Sequence, residues 1–273
     1  MTSTTPVTVG ALAVPGARLH YELRGRGPLL AIVGAPMASA PFAPLADLLA
    51  ASNTVLTMDP RGHFGSVLED PDAESTPELR ADDLARLIRH LDAGPATVLG
   101  SSGGAITTLA LVQAHPELVR TAVAHEPPLV QLLEDRERQL AANKDTVATF
   151  AGGDALGAVR KFMTNAGFVM PEEVFIQVFG GEKSPQDAAS ERFFYLHELR
   201  GTAEWVPDLD ALRAATTRLI IGIGDTSAGQ LCDRTSRALA AELEIEPTLF
   251  PGGHGGFMED PARFAKRLRE VID

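Results

Sequence analysis

The segment from Ala96 to His115 restricts the fold more tightly than any other, reading A-T-V-L-G-S-S-G-G-A-I-T-T-L-A-L-V-Q-A-H. Its apolar run Thr97 to Leu99 has the character of a buried strand, and apolar residues recur at helical spacing after Gly104, at Ala105, Leu109 and Val112. Between the two lies Gly100-Ser101-Ser102-Gly103-Gly104, which fits a G-x-S-x-G elbow, a sharp turn from strand into helix. Such a turn strains its central residue and needs small residues two positions to either side. Ser102 meets this condition with Gly100 and Gly104. Ser101 does not, because Leu99 stands two positions before it and would collide with the incoming helix. Ser102 is therefore the expected nucleophile.

The remaining pattern supplies a framework for this turn. Val7 to Val14 and Arg18 to Leu23 read as two strands joined at Pro15-Gly16, a hairpin that opens an antiparallel edge. Leu29 to Val33 is continuously apolar, as in a strand covered on both faces, and Phe42 to Ala50 follows with helical spacing. Val55 to Met58 is the next strand. Thr76 caps a helix that begins with Pro77 and runs to Leu91. Thr121 to Ala124 follows the elbow helix as a further strand. This alternation predicts an α/β fold, a mainly parallel sheet with helices on both faces. From about Leu129 to Pro207 it stops: the stretch has helical patterns but no convincing strand, with breaks at Gly152-Gly153, Pro171, Gly180-Gly181 and Pro185. Strands resume at Leu219 to Ile223 and Thr248 to Phe250, and Pro261 to Ile272 closes the chain as an amphipathic helix. The expected division is a core of residues 1-128 and 208-273 with a helical insertion over 129-207. The insertion holds most of the aromatic side chains, which could line a pocket beneath it.

Composition narrows the partners. With 24 basic against 36 acidic residues, the net charge of −12 repels phosphate backbones and anionic lipid, so neither nucleic acid nor membrane is expected. Cys232 is the only cysteine, which precludes an internal disulfide, and a buried inert thiol is its expected role. The first residues lack a basic segment followed by an apolar one, and no apolar run is long enough to span a bilayer, so a cytoplasmic location is expected.

A serine hydroxyl needs a histidine to take its proton and a carboxylate to orient that histidine. His254 is the strongest of seven histidines, since it follows the last strand between Gly252-Gly253 and Gly255-Gly256. His63 and His125 follow strands at the same end and could touch the pocket without being the base. Asp225, ending the strand before the last, is favoured as the carboxylate, with Glu126 as its rival. The backbone N–H of Gly103 is the first expected donor to a developing oxyanion, and Ala35 is the second, because Pro36 has no N–H to give. The sequence has no cysteine cluster, no histidine pair at helical spacing and no phosphate-cradling glycine loop, so neither metal nor cofactor is expected.

With these residues in place, the chain resembles the α/β-hydrolase superfamily over almost its whole length. The resemblance rests on G-S-S-G-G around Ser102, D-P-R-G-H-F-G-S from Asp59, H-P-E-L-V from His115, G-I-G-D ending at Asp225 and G-G-H-G-G-F-M-E-D-P around His254. It implies the α/β-hydrolase fold, a helical cap and a Ser102, Asp225, His254 triad acting on a small-molecule ester or lactone. The same motifs occur in carbon-carbon bond hydrolases, lyases and ligand receptors that are similar in fold. Two departures stand out. Val33-Gly34 occupies the place where many relatives have His-Gly, and Phe64 interrupts the usual R-G-H-G run and could project a ring toward the pocket.

Overall fold

The computed structural model describes residues 6–272. The chain opens with β1 (Val7–Val14) and β2 (Ala17–Arg24), an antiparallel hairpin turned at Pro15-Gly16. Next come β3 (Leu29–Val33), α1 (Ala43–Leu49), β4 (Thr54–Met58) and the short β5 (Val67–Leu68). Helix α2 (Pro77–Leu91) begins where Thr76 Oγ1 accepts a hydrogen bond from Leu79 N, and Pro77 costs nothing there because its missing N–H would have no helical partner. The elbow strand β6 (Ala96–Ser101), its helix α3 (Gly103–Ala114) and β7 (Val119–His125) complete the first half.

Between β7 and β8 (Arg218–Gly224) the described residues are helical, with no strand. The segment comprises α4 (Arg136–Ala151), α5 (Ala155–Ala166), α6 (Glu172–Phe179), α7 (Pro185–Phe193), a π-helical turn (Phe194–Glu198), α8 (Leu199–Glu204) and α9 (Leu209–Ala214). The chain ends with α10 (Leu231–Leu243), β9 (Thr248–Phe250), α11 (Gly256–Glu259) and α12 (Pro261–Ile272). No helix among the described residues is long and apolar enough to cross a membrane.

The strand order is β1-β2-β4-β3-β6-β7-β8-β9, with β5 paired to β2. Pairings from β4 through β9 are parallel, and those of β2 are antiparallel. Alternation along each strand sorts side chains between two cores. Leu29, Ala31 and Val33 of β3 pack on one face with Leu84 and Leu87 of α2 and Leu109 of α3, while Leu30 and Ile32 pack on the other with Leu45 of α1 and Phe264 of α12. Helices therefore cover both faces, as the unbroken apolar runs predict.

Successive strands run outward in opposite directions from the β3–β6 pair, so the crevice beyond their carboxyl ends is not filled by a crossing connection. The loop after β3 and the turn after β6 both open into it. Topology alone thus brings Ala35 and Ser102 together.

Candidate active site

Ser102 sits in a conformation that L-residues seldom adopt, φ 57° and ψ −126°. Glycines make room for it. A Cβ on Gly100 would come within 2.2 Å of Gly104 O and of Thr108 Oγ1, and one on Gly104 would come within 2.2 Å of Val33 O. These close approaches let α3 begin directly against β6 and β3. The strained turn leaves Ser102 partly exposed to the cavity and points Ser101 inward, where its Oγ lies 3.1 Å from Nδ1 of His125. His125 is buried between Phe250 and Phe264, and burial lowers its pKa to about 4, so it stays neutral behind the site.

His254 is held by Glu126. Its Nδ1 donates to Glu126 Oε2 at 2.6 Å, and Gly224 N donates to Oε1 of the same carboxylate at 2.8 Å. Glu126 follows β7 with φ 53°, a left-handed bend that folds its side chain over the ends of β7 and β8. The carboxylate is wholly buried. Burial alone would raise its pKa, but the hydrogen bond from His254, with smaller contributions from its other neighbours, outweighs that and leaves it at about 2. On His254 burial acts to lower the pKa, and its neighbours Cys232 and Glu126 act to raise it, so the cation formed when the ring takes a second proton is stabilised.

This geometry corrects the expectation for Asp225. That residue is exposed; its N–H donates to Phe250 O at 2.8 Å and its Oδ1 accepts from Gly252 N at 3.0 Å, so it braces the turn between β8 and the loop after β9. The histidine is already satisfied from the neighbouring strand. The signal for Glu126 was present in His125-Glu126-Pro127-Pro128, an acid ending an apolar strand next to the elbow strand.

Ser102, Gly103, Ala35 and His254 line one cavity of about 1120 Å³. The carbonyl of Ala35 abuts the start of α3 so closely that a Cβ on Gly103 would meet it at 2.4 Å. No direct hydrogen bond joins Ser102 Oγ to His254 among the described residues. The opposite wall comes from the helical segment, including Phe162, Phe168, Phe179, Phe194 and Tyr195, and Phe64 contributes from the core as expected. Phe168 also packs on the imidazole at 5.6 Å between ring centroids. Phe150, Phe175, Phe193 and Trp205 are not part of this lining.

Two features were not anticipated. Cys232, expected to be inert, lines the cavity, and its sulfur lies within 4.8 Å of ligand-capable atoms of Glu126 and His254. These three have the chemistry of metal ligands, although Glu126 and His254 already bond each other. The second feature is a buried polar cluster in which His63 bonds Ser190 Oγ at 2.7 Å and Glu198 Oε2 at 2.9 Å. No periodic pattern marks such a cluster, because its members come from loops and from helices far apart in the chain.

Comparison with known proteins supplies a context for this geometry. Residues 29–267 match the family model described as "Alpha/beta hydrolase family". The chain is similar to the uncharacterized hydrolase YraK of Bacillus subtilis (strain 168), 31% identical with 97% of this chain and 96% of that protein covered. It is similar to the zearalenone hydrolase of Bionectria ochroleuca at 26% identity, covering 94% of each. Among solved structures it resembles a thermophilic esterase from Thermogutta terrifontis, with a TM-score of 0.74, 20% identity, and 97% and 98% of the two chains covered.

Proposed function

This chain belongs to the alpha/beta hydrolase family and is a hydrolase, and from that premise we propose that it cleaves a carboxylic ester or lactone of a small, uncharged, largely apolar molecule through an acyl-enzyme on Ser102. One observation carries the reading: a serine in a strained strand-to-helix turn shares a cavity with a histidine whose Nδ1–H is held by a buried carboxylate. Glu126 fixes the tautomer that leaves Nε2 free to accept a proton. In this mechanism Ser102 Oγ attacks the acyl carbon as His254 Nε2 takes its proton, a contact that tightens when substrate is bound. Charge on the carbonyl oxygen is met by the N–H groups of Gly103 and Ala35. The imidazolium returns its proton to the departing alkoxide, and water, deprotonated by the same ring, releases the acid. For a lactone both products form one hydroxy acid.

The substrate class follows from the walls. Aromatic and aliphatic side chains dominate the lining. Its charged residues include Glu22, Asp59, Asp187, Glu191 and Glu198, against Lys183, which pairs with Glu191. A cavity of this size and sign favours a neutral molecule with substantial apolar surface and repels an anion. The zearalenone hydrolase and the thermophilic esterase are by name hydrolases, the second of esters, which supports the reaction class.

The test is covalent. An active-site phosphonate is expected to label Ser102 and no other residue, as read by mass spectrometry of the digested protein. Ser102→Ala should lower turnover by about a million-fold, because nucleophile and base act as a unit. A label on Ser101, or none, would overturn the assignment. Turnover with no trappable acyl-enzyme would instead favour a lyase using the same serine and histidine as acid and base.

A further inference from the structure

The cavity wall holds a second charged group that the acyl-transfer chemistry does not use. Glu198 ends the π-helical turn and lines the cavity, yet the residue is only 1% exposed. Its two oxygens are treated differently. Oε2 accepts from His63 Nε2 at 2.9 Å and from Ser75 Oγ at 3.4 Å, and it stands 3.6 Å from the Arg80 guanidinium. Oε1 is buried and has no hydrogen-bond partner among the described residues. A π-turn adds a residue to one turn of helix, a local cost that recurs at functional sites.

A desolvated carboxylate oxygen with empty lone pairs is costly, and no donor among the described residues reaches it, although Phe194, Tyr195 and Leu199 line the same cavity. The side chain cannot turn away to water, because Oε2 is fixed from three directions. Arg80 is itself held by Thr107 Oγ1 at 3.1 Å, Ser75 O at 2.9 Å and Thr202 Oγ1 at 2.9 Å, so the whole mount is rigid. Burial would raise the pKa of Glu198, but Arg80 and His63 outweigh it and keep the group ionised. The result is a preorganised acceptor in an apolar wall.

We propose that Glu198 Oε1 accepts a hydrogen bond from a neutral hydroxyl of the substrate, at a position separate from the bond that is cleaved. This rests on the hydrolase reading above. An alcohol or phenol suits the site because Arg80 already balances the carboxylate, so an ammonium group would meet that guanidinium as a like charge. An ether or ketone would set acceptor against acceptor, and an anion would be repelled outright.

The experiment uses activated aryl esters of straight-chain acids of increasing length, each made with a terminal hydroxyl, methoxy or methyl group. At the chain length that spans from Ser102 to Glu198, kcat/KM for the hydroxyl ester should exceed that of its methyl and methoxy partners by roughly ten- to a hundredfold. Glu198→Gln, whose amide nitrogen would face the cavity, should collapse that ratio and favour methoxy relative to hydroxyl. Wild-type protein alone can overturn the proposal: no hydroxyl preference at any length means that Oε1 is not a substrate acceptor. Calorimetric binding of the same esters to Ser102→Ala protein reads the preference without turnover. Hydroxyl-selective binding to Ser102→Ala protein, together with no hydrolysis of any of these esters by the wild-type protein, would defeat the hydrolase reading and leave the subsite standing.

Discussion

The carboxylate of Glu126 does two things for His254: it accepts the Nδ1–H and it sets a negative charge against a ring that becomes cationic during turnover. Glu126→Gln removes the charge and lets the side chain offer an N–H where an acceptor is needed, which favours the wrong tautomer. Turnover should fall by about ten-thousand-fold while the melting profile stays near that of wild type. Asp225→Asn should leave turnover within a few-fold, since among the described residues the Asp225 carboxylate accepts only from Gly252 N and does not reach His254. Steady-state rates of the two variants on one aryl ester decide the matter, and the reverse pattern would return the acid to Asp225. The sequence identified both carboxylates as rivals and ranked them by the strand each one ends. It could not show the positive φ at Glu126 that swings this side chain onto the histidine, because only the folded backbone fixes a side chain's direction. Ser102, by contrast, was legible because glycine at positions 100 and 104 is a steric requirement written directly in residue types.

At the scale of elements, buried ion pairs tie the site to its supports. Arg61, in the loop after β4, meets Asp83 of α2 through two hydrogen bonds of 2.7 Å, with Arg61 5% exposed and Asp83 fully buried. Burial raises the Asp83 pKa and the guanidinium opposes that rise. The pair fixes the loop carrying Asp59 and Phe64, both of which line the cavity. Asp83→Ala strands a buried cation and should cost about 3–5 kcal/mol in urea unfolding, whereas replacing both partners with apolar residues of similar volume should restore most of the loss. Equal destabilisation by the single and double variants would show that packing, not charge, holds the loop. The elements themselves were largely legible: β3, β9 and α12 lie where continuous apolar runs and amphipathic spacing place them, and Thr76-Pro77 marks the start of α2. The two-residue β5 and the π-turn were not. The first is too short to carry a period, and the second is a helix whose spacing slips by one residue.

Across the whole molecule, the sheet provides a rigid floor and the helical segment a wall, and the chain passes from wall back to floor near Trp205. That residue is the only tryptophan of the chain. It is 7% exposed, packs within the core on one face of the sheet, and donates its indole N–H to Glu78 Oε1 of α2 at 2.8 Å. Intrinsic emission excited in the tryptophan band therefore comes from a single point, the seam where the segment rejoins the core. Because the indole is bonded to α2 and buried with the sheet's own side chains, its emission should stay blue until the sheet itself comes apart. In a urea titration the red shift of that emission should superimpose on the loss of far-ultraviolet circular dichroism. A red shift completed at lower urea would mean that the seam parts first and the wall opens as a unit. The same lone fluorophore then watches the seam itself, with no label added and no second tryptophan in the chain to compete with it.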